Sequence, residues 1–189
     1  MRIVFLGAPG SGKGTQAATV KTELGLAHIS TGELLRAQVR AGTELGIAAK
    51  AVMDAGKLVS DAIVLGMLEA RLAEPDTADG FILDGYPRNL AQAAALDQLL
   101  ARIGRPLDVA VLLEVPSELI IERLAGRAAA EGRKDDTPAT VRERLDVYQQ
   151  QTAPVIAFYR ETGRLVEVDG VGAMTTVSAR ILDAIRALA

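Results

Sequence analysis

The stretch Gly7-Ala8-Pro9-Gly10-Ser11-Gly12-Lys13-Gly14-Thr15 decides the fold, because it follows the apolar run Arg2–Leu6 and opens a helical pattern. Glycines at this place let several backbone N–H groups point at one anion, and the start of a helix adds partial positive charge. Lys13 can reach the outer phosphates of a nucleotide as a point charge. We therefore predict a phosphate-binding loop at residues 7–15; the alternative is a glycine-rich turn without a ligand.

Further apolar runs follow this loop at intervals along the chain. They are Ala27–Ile29, Phe81–Leu83, Asp108–Leu113 and Leu165–Val168. Several are apolar on successive residues, which is typical of strands buried on both faces of a parallel sheet. Helical patterns separate them, so we predict an α/β fold with a five-stranded parallel sheet, helices on both faces and right-handed crossovers.

Helix signals fill the intervals between these strands. Ser30 and Glu33 have the spacing of a capping box, and the last helix is predicted from about Thr175 to Leu188. Pro154 lies inside a long helical pattern, which predicts a kink or two helices. The interval between Ile29 and Phe81 is too long for one crossover helix and predicts a small helical lobe beside the sheet.

The composition excludes several classes of protein. The chain has 189 residues, no cysteine, one histidine and a formal net charge of −3. Disulfides, cysteine-ligated zinc and a multi-histidine metal centre are excluded, and broad nucleic-acid binding is not indicated. No apolar run is long enough to span a bilayer, so we expect a cytoplasmic protein.

Two segments after the loop carry candidate chemistry. Asp84 ends an apolar strand, where a carboxylate can help to hold Mg²⁺ or its waters beside a phosphate loop; the alternative is a simple Asp-Gly turn. Arg88 and Gln92 are four residues apart and share one face of a predicted helix, which suits a phosphate and a base edge. On spacing alone, a solvated helix face is the better explanation of this pair.

A second group of arginines lies in the C-terminal half. Arg123 and Arg127 have the same four-residue spacing, and a polyphosphate between them would relieve their repulsion. Arg133 lies in a short polar turn, and Arg144 lies on the helix that follows. Taken singly, each of these arginines is better explained as part of a solvated surface.

Taken together and in this order, the motifs resemble the adenylate kinase family. The segments that carry the resemblance are Gly7–Thr15, Ile29–Arg36, Lys57–Asp61, Phe81–Arg88 with Gln92, Arg123–Arg127, Arg133–Asp136 and Arg144. The resemblance implies reversible, Mg²⁺-dependent transfer of a phosphoryl group from ATP to AMP, which gives two ADP. It covers most of the chain.

The resemblance also implies residue roles on the ATP side. Gly10, Ser11, Gly12, Lys13, Gly14 and Thr15 would hold the ATP phosphates. Arg123 and Arg127 would serve ATP and the transferring group, and Gly172 would lie near the ATP base. The residues expected to act in catalysis are Lys13, Asp84, Arg88, Arg123, Arg133 and Arg144.

On the AMP side, Thr31 and Gln92 would contact the base, and Arg36 and Arg88 would bind the phosphate. Further residues that the resemblance assigns to the AMP site are Lys57, Leu58, Val59, Gly85, Tyr86, Pro87, Arg133 and Arg144.

The expected domain organisation is one kinase domain over residues 1–189. Its core would comprise residues 1–29, 60–125 and 137–189, its AMP-binding lobe residues 30–59 and its short lid residues 126–136. The lobe and the lid are expected to close over the nucleotides to exclude water. Longer family members insert a larger lid, sometimes with zinc, whereas the short segment and the absence of cysteine here predict no structural zinc.

Two other functions remain open from the sequence. Another nucleoside monophosphate kinase, acting on UMP, CMP or GMP, would share the phosphate loop, although Thr31 and Gln92 favour adenine. A non-catalytic ATP-binding module would share the loop but would not need arginines for a second phosphate. The expected partners are ATP, AMP and ADP, with no nucleic acid and no membrane, and the default oligomeric state is a monomer.

Overall fold

A parallel sheet forms the centre of the molecule. The computed structural model describes residues 1–131 and 137–188, with the side chains of residues 1–126 and 137–188. Its strands are β1 (Arg2–Leu6), β2 (Ala27–Ser30), β3 (Phe81–Asp84), β4 (Val109–Glu114) and β5 (Leu165–Asp169). They pair in parallel in the order β2-β3-β1-β4-β5. The predicted parallel α/β architecture is confirmed, with strand ends that differ from the prediction by one residue at most.

The side chains of successive strand residues are buried on opposite faces of the sheet, in two separate hydrophobic cores. Along β1, Val4 and Leu6 belong to the core on one face of the sheet, whereas Ile3 and Phe5 belong to the core on the other. Because successive side chains point to opposite faces, a strand covered on both sides is apolar throughout. This burial explains the continuous apolar runs of the sequence.

Helices cover both faces and connect the strands. They are α1 (Lys13–Leu24), α2 (Thr31–Ala41), α3 (Glu44–Asp54), α4 (Asp61–Leu72), α5 (Leu90–Arg102), α6 (Ser117–Glu131), α7 (Pro138–Val147), α8 (Ala153–Glu161) and α9 (Met174–Arg186). Helices α1 and α9 pack on one face, and α2, α4, α5 and α8 contribute to the core on the other. The last helix begins and ends slightly earlier than predicted.

Helices α2, α3 and α4 fill the long interval between β2 and β3. Ser30 caps α2 by accepting a hydrogen bond from the N–H of Glu33 at 3.4 Å. Gly46 lies where α3 crosses α2, and a Cβ there would lie 2.1 Å from the carbonyl oxygen of Gln38. This glycine permits close helix packing.

The Pro154 region contains the predicted interruption. Helix α7 ends at Val147, a π-helical turn spans Tyr148–Thr152, and α8 begins at Ala153. A proline near the start of a helix loses no intrahelical hydrogen bond, so α8 accommodates it. Among the described residues, no helix combines the length and the apolar character that a bilayer crossing requires.

Candidate nucleotide-binding site

The phosphate loop, residues 7–15, connects β1 to α1 in a conformation that glycine makes possible. Gly7, Gly10 and Gly12 have φ angles of 142°, 83° and 95°. A Cβ on Gly10 would lie 2.7 Å from the Cγ atom of Leu124 on α6. The loop therefore needs glycine at this position for its backbone angle and for the approach of α6. Helix α1 starts at Lys13 without a side-chain cap, which is the arrangement that leaves N–H groups for an anion.

Lys13 lies along the phosphate loop. Its Nζ atom donates hydrogen bonds to the carbonyl oxygens of Gly7 at 2.7 Å and Ala8 at 3.0 Å. The side chain is half-buried and lines the main cleft of the molecule. Its ammonium group is thus held over the loop, where it can meet a phosphate.

Asp84 ends β3 beside the phosphate loop. A Cβ on Gly14 would lie 3.3 Å from its Oδ2 atom, and the Nε2 atom of His28 lies 3.6 Å from the same oxygen. Burial raises the pKa of Asp84, but the contact with His28 and the positive charges of Lys13 and Arg88 together lower it by more. The pKa therefore lies below its usual range. Asp84 is therefore ionised at neutral pH.

Arg123 on α6 forms hydrogen bonds to two loops of the site. Its guanidinium donates to the carbonyl oxygen of Ser11 at 3.1 Å and to that of Gly170 at 3.2 Å. Gly170 follows β5, and Gly172, which has a φ of 129°, lines the cleft two residues later. Arg123 thus places a fixed positive charge between the phosphate loop and the loop after β5.

The segment after β3 forms a second binding surface. The carbonyl oxygen of Gly85 accepts hydrogen bonds from Thr31 Oγ1 at 2.8 Å and from Arg88 Nε at 2.7 Å. The peptide bond between Tyr86 and Pro87 is cis. Burial and the nearby charge of Asp61 raise the pKa of Tyr86 to about 12. Its ring lies below this surface in the core.

Gln92 lies on the first turn of α5 and is almost fully buried. Its Oε1 atom accepts from the backbone N–H of Arg88 at 2.7 Å, and its Nε2 atom donates to Asp61 Oδ1 at 2.7 Å. The predicted base-contacting pair, Thr31 and Gln92, lines the same small pocket. The pair is brought together from β2–α2 and α5.

Cationic side chains surround this pocket. Arg36 on α2 is paired with Glu33, with its Nε atom 3.0 Å from Oε1. Arg144 on α7 lines the same pocket near Gly56. Lys57, Leu58 and Val59 connect α3 to α4 and form part of the pocket wall. The pocket therefore combines an apolar wall with several cations.

Two connected cavities contain nearly all the predicted residues that the structure describes. The main cleft has a volume of about 790 Å³ and lies at the carboxyl ends of the strands. A side pocket of about 60 Å³ opens beside it. The residues that line both are Gly32, Arg36, Gly56, Leu58, Gly85, Arg88 and Arg144. Beside β1 the chain changes direction across the sheet, since β2 and β3 lie on one side of β1 and β4 and β5 on the other. The carboxyl edge at such a point is the usual ligand site of open α/β sheets.

The predicted residues divide between the two cavities. The main cleft alone holds Gly10, Ser11, Gly12, Lys13, Gly14, Thr15, Asp84, Pro87, Arg123 and Gly172. The side pocket alone holds Thr31, Lys57, Val59 and Gln92. Of the predicted site residues that the structure describes, only Tyr86 lines neither cavity. Arg133 and the side chain of Arg127 lie outside the described residues.

The structure adds residues to which the sequence assigned no role in the binding site. His28 contacts Asp84 across the paired strands β2 and β3, and Asp61 holds Gln92. Glu33 pairs with Arg36. Asp61 belongs to a stretch that supports the family resemblance, but nothing in its spacing indicated a contact with a residue 31 positions away.

Comparison with known proteins agrees with this geometry. The adenylate kinase family model matches residues 5–164. The chain is 64% identical over 187 residues to an adenylate kinase of Stenotrophomonas maltophilia (strain K279a), covering 99% of this chain and 100% of that protein. It is 63% identical over 185 residues to one of Xylella fastidiosa (strain 9a5c), covering 98% and 99%. It is 64% identical over 181 residues to one of Xanthomonas campestris pv. campestris (strain B100), covering 96% and 97%. The chain therefore belongs to the adenylate kinase family and is a phosphotransferase.

Proposed function

We propose that the phosphate loop binds ATP, that the side pocket binds AMP, and that the chain transfers the terminal phosphoryl group between them to give two ADP. One observation supports this most strongly. Arg36, Arg88 and Arg144 line both the main cleft and the side pocket. A module that binds only ATP has no need of a second set of cations beside its phosphate loop. An enzyme that holds two anionic substrates side by side needs these cations to reduce the repulsion between the phosphates.

Phosphoryl transfer requires positioning and charge neutralisation rather than covalent catalysis. The acceptor is itself an anionic phosphate, so the reaction needs no histidine or cysteine base. Lys13 and Arg123 would stabilise the phosphates held over the loop, and Arg88 and Arg144 would bring the AMP phosphate into line with them. The predicted roles of Arg127 and Arg133 concern residues outside the described part of the site.

Magnesium fits the residues that surround the loop. Mg²⁺ usually binds one or two carboxylates together with substrate phosphates and water, rather than a cage of protein ligands. Among the side chains of residues 1–126 and 137–188, no group of three metal-ligating residues comes together. Asp84 is ionised and lies beside the phosphate loop, so it would hold the ion through water. When bound, Mg²⁺ neutralises charge on the phosphates of ATP.

We infer that α2 and α3 form a mobile AMP-binding lobe (residues 30–59) on a core of residues 1–29, 60–125 and 137–189. A site of this kind must exclude water during transfer, because water would otherwise accept the phosphoryl group. Solution scattering should give a smaller radius of gyration with a bisubstrate dinucleotide than without ligand, and an unchanged radius would contradict closure. The short lid, residues 126–136, a cytoplasmic location and a monomeric state stay predictions of the sequence.

The decisive experiment measures ADP formation with Mg·ATP and each nucleoside monophosphate in turn. AMP should be the efficient acceptor; turnover with UMP, CMP or GMP instead would assign another monophosphate kinase. No turnover with any acceptor would leave an ATP-binding module.

A matched pair of variants tests the shared arginines. Arg88→Ala should lower kcat/KM for AMP at least about a hundredfold, the usual effect of removing one charged donor. Arg102→Ala changes an exposed arginine at the far end of α5, where it pairs with Glu69, and should keep the unmodified rate. Equal rates for the two variants would contradict the proposed AMP site.

A further inference from the structure

Asp61 connects the starts of two helices beside the side pocket. It is the first residue of α4, and its Oδ1 atom accepts a hydrogen bond from Gln92 Nε2 on α5 at 2.7 Å. The Nδ2 atom of Asn89, the N-cap of α5, lies 3.1 Å and 3.3 Å from the two oxygens of the same carboxylate. Asn89 Oδ1 in turn accepts from the backbone N–H of Gln92 at 2.8 Å. The Asp61 carboxylate thus forms hydrogen bonds to Gln92, which lines the pocket, and to Asn89, which caps α5.

These contacts fix which end of the Gln92 amide faces which neighbour. A carboxylate only accepts hydrogen bonds, so the NH₂ group must face Asp61; a backbone N–H only donates, so Oε1 must face Arg88. A half-turn of the amide would set two acceptors against each other on one side and two donors on the other. Both favourable contacts would be lost at once.

The fixed amide retains hydrogen-bonding capacity for a ligand. One N–H of its NH₂ group is used by Asp61 and one lone pair of Oε1 by Arg88, which leaves one donor beside one acceptor. Adenine offers the complementary pair, since its 6-amino group donates and the adjacent ring nitrogen accepts. A 6-oxopurine reverses the pattern on its pairing edge, because its ring N–H donates and its oxygen accepts. A glutamine that could turn freely would bind either base.

We propose that Asp61 is a positioning residue that locks the Gln92 amide and thereby makes the side pocket select 6-aminopurine over 6-oxopurine monophosphates. The inference rests on the proposed function, in which Gln92 contacts the base of AMP. It goes beyond it by assigning the choice of base to a carboxylate on a different helix. Asp61 is exposed, so it can be replaced without opening the core.

Asp61→Asn is the sharpest test, because an asparagine can present either its oxygen or its NH₂ group to Gln92. The turned amide then loses only the contact with the Arg88 N–H, instead of both contacts. The ratio of kcat/KM for AMP to kcat/KM for inosine monophosphate should fall about tenfold, the worth of one hydrogen bond. The change should appear mainly in KM. A purely structural role at the start of α4 would change both substrates by the same factor, and that result would overturn the proposal.

Two controls separate the possible causes. Glu69→Gln removes a carboxylate from the exposed surface of the same helix and should leave the ratio unchanged. In a Gln92→Ala background, Asp61→Asn should have no further effect on the ratio, because the amide through which it acts is gone. A persistent effect would show that Asp61 acts by another route. Failure of the proposed function itself is distinct, since the unmodified protein would then form no ADP with AMP.

A measurement on the unmodified protein keeps the proposal testable without any variant. The side-chain amide protons of Gln92 should exchange with solvent much more slowly than those of Gln150, which is exposed in the π-helical turn. Amide-selective NMR reports both. Equally fast exchange would mean that the Gln92 amide is not held, and would overturn the proposal.

Discussion

The phosphate loop and the side pocket lie in neighbouring cavities, but one is formed by backbone and the other by side chains. The loop is a continuous run of backbone, shaped by glycines with positive φ angles. The side pocket is a network of side chains. Thr31 comes from one stretch and Arg88 and Gln92 from another, and they form hydrogen bonds to Gly85 and Asp61. Substitutions in the loop should therefore affect the main-chain geometry and phosphate binding, whereas those in the pocket should affect one substrate at a time.

The largest effect is expected at the cation of the loop. Lys13→Ala should fold normally but lose at least about a hundredfold in turnover, because a positioned charge for the transferring group is removed. Lys21→Ala, at the other end of α1 on the exposed side, is the matched control and should retain full turnover. Circular dichroism would establish folding, and a wild-type rate from a folded Lys13→Ala protein would contradict the assignment of the loop.

The backbone of the loop should be intolerant even of a methyl group. Gly10→Ala combines a φ of 83° with a Cβ 2.7 Å from Leu124, and should lower the free energy of unfolding by about 2–4 kcal/mol. Gly104→Ala has a φ of 68° but nothing within 4 Å, so it should cost only about 1 kcal/mol. Urea unfolding measures both. Equal losses would mean that packing against α6 does not constrain the loop.

This contrast also explains what the sequence could predict. The loop was predictable because its residues are contiguous and because its glycines allow the backbone angles that a phosphate-binding loop needs. The sheet was predictable because strands buried on both faces, such as β1 and β4, are apolar without interruption. The break near Pro154 followed from the missing N–H of proline.

The side pocket shows where local patterns stop being informative. The spacing of Arg88 and Gln92 alone favours a solvated surface, and only the resemblance to a family indicated their role. The carboxylates of Asp61 and Glu33 were missed because their partners are determined by helix packing and rotamers. The need for glycine at position 46 likewise comes from a helix contact, with the carbonyl oxygen of Gln38, which no local pattern indicates.

A single pocket hydroxyl should have a smaller and more selective effect than the loop variants. Thr31→Val removes the hydrogen bond to the Gly85 carbonyl oxygen at 2.8 Å while it keeps the volume of the side chain. Stability should fall by about 1 kcal/mol, and KM for AMP should rise while KM for ATP stays the same. Thr22→Val removes a comparable bond on exposed α1, to Ala18, and should leave both constants unchanged. A parallel rise in both KM values would break the proposed division between the two regions.

The smallest effect is expected where the two regions meet, at Asp84. Burial raises its pKa, whereas the contact with His28 and the charges of Lys13 and Arg88 lower it. Because these effects partly cancel, only the net lowering of the pKa contributes to the free energy of unfolding. Because the pKa in the folded protein lies below the ordinary value of 3.8, the charged group contributes stability that is present above pH 3.8 and is lost as the pH falls below it. Asp84→Asn should therefore show a shallower loss of stability in acid, measured by urea unfolding from pH 5 down to the lowest pH at which the protein folds. Asp79→Asn, on an exposed turn, should keep the unmodified profile. If Asp84→Asn kept the same acid profile as the unmodified protein, the carboxylate would not be coupled to the cations of the loop and the pocket.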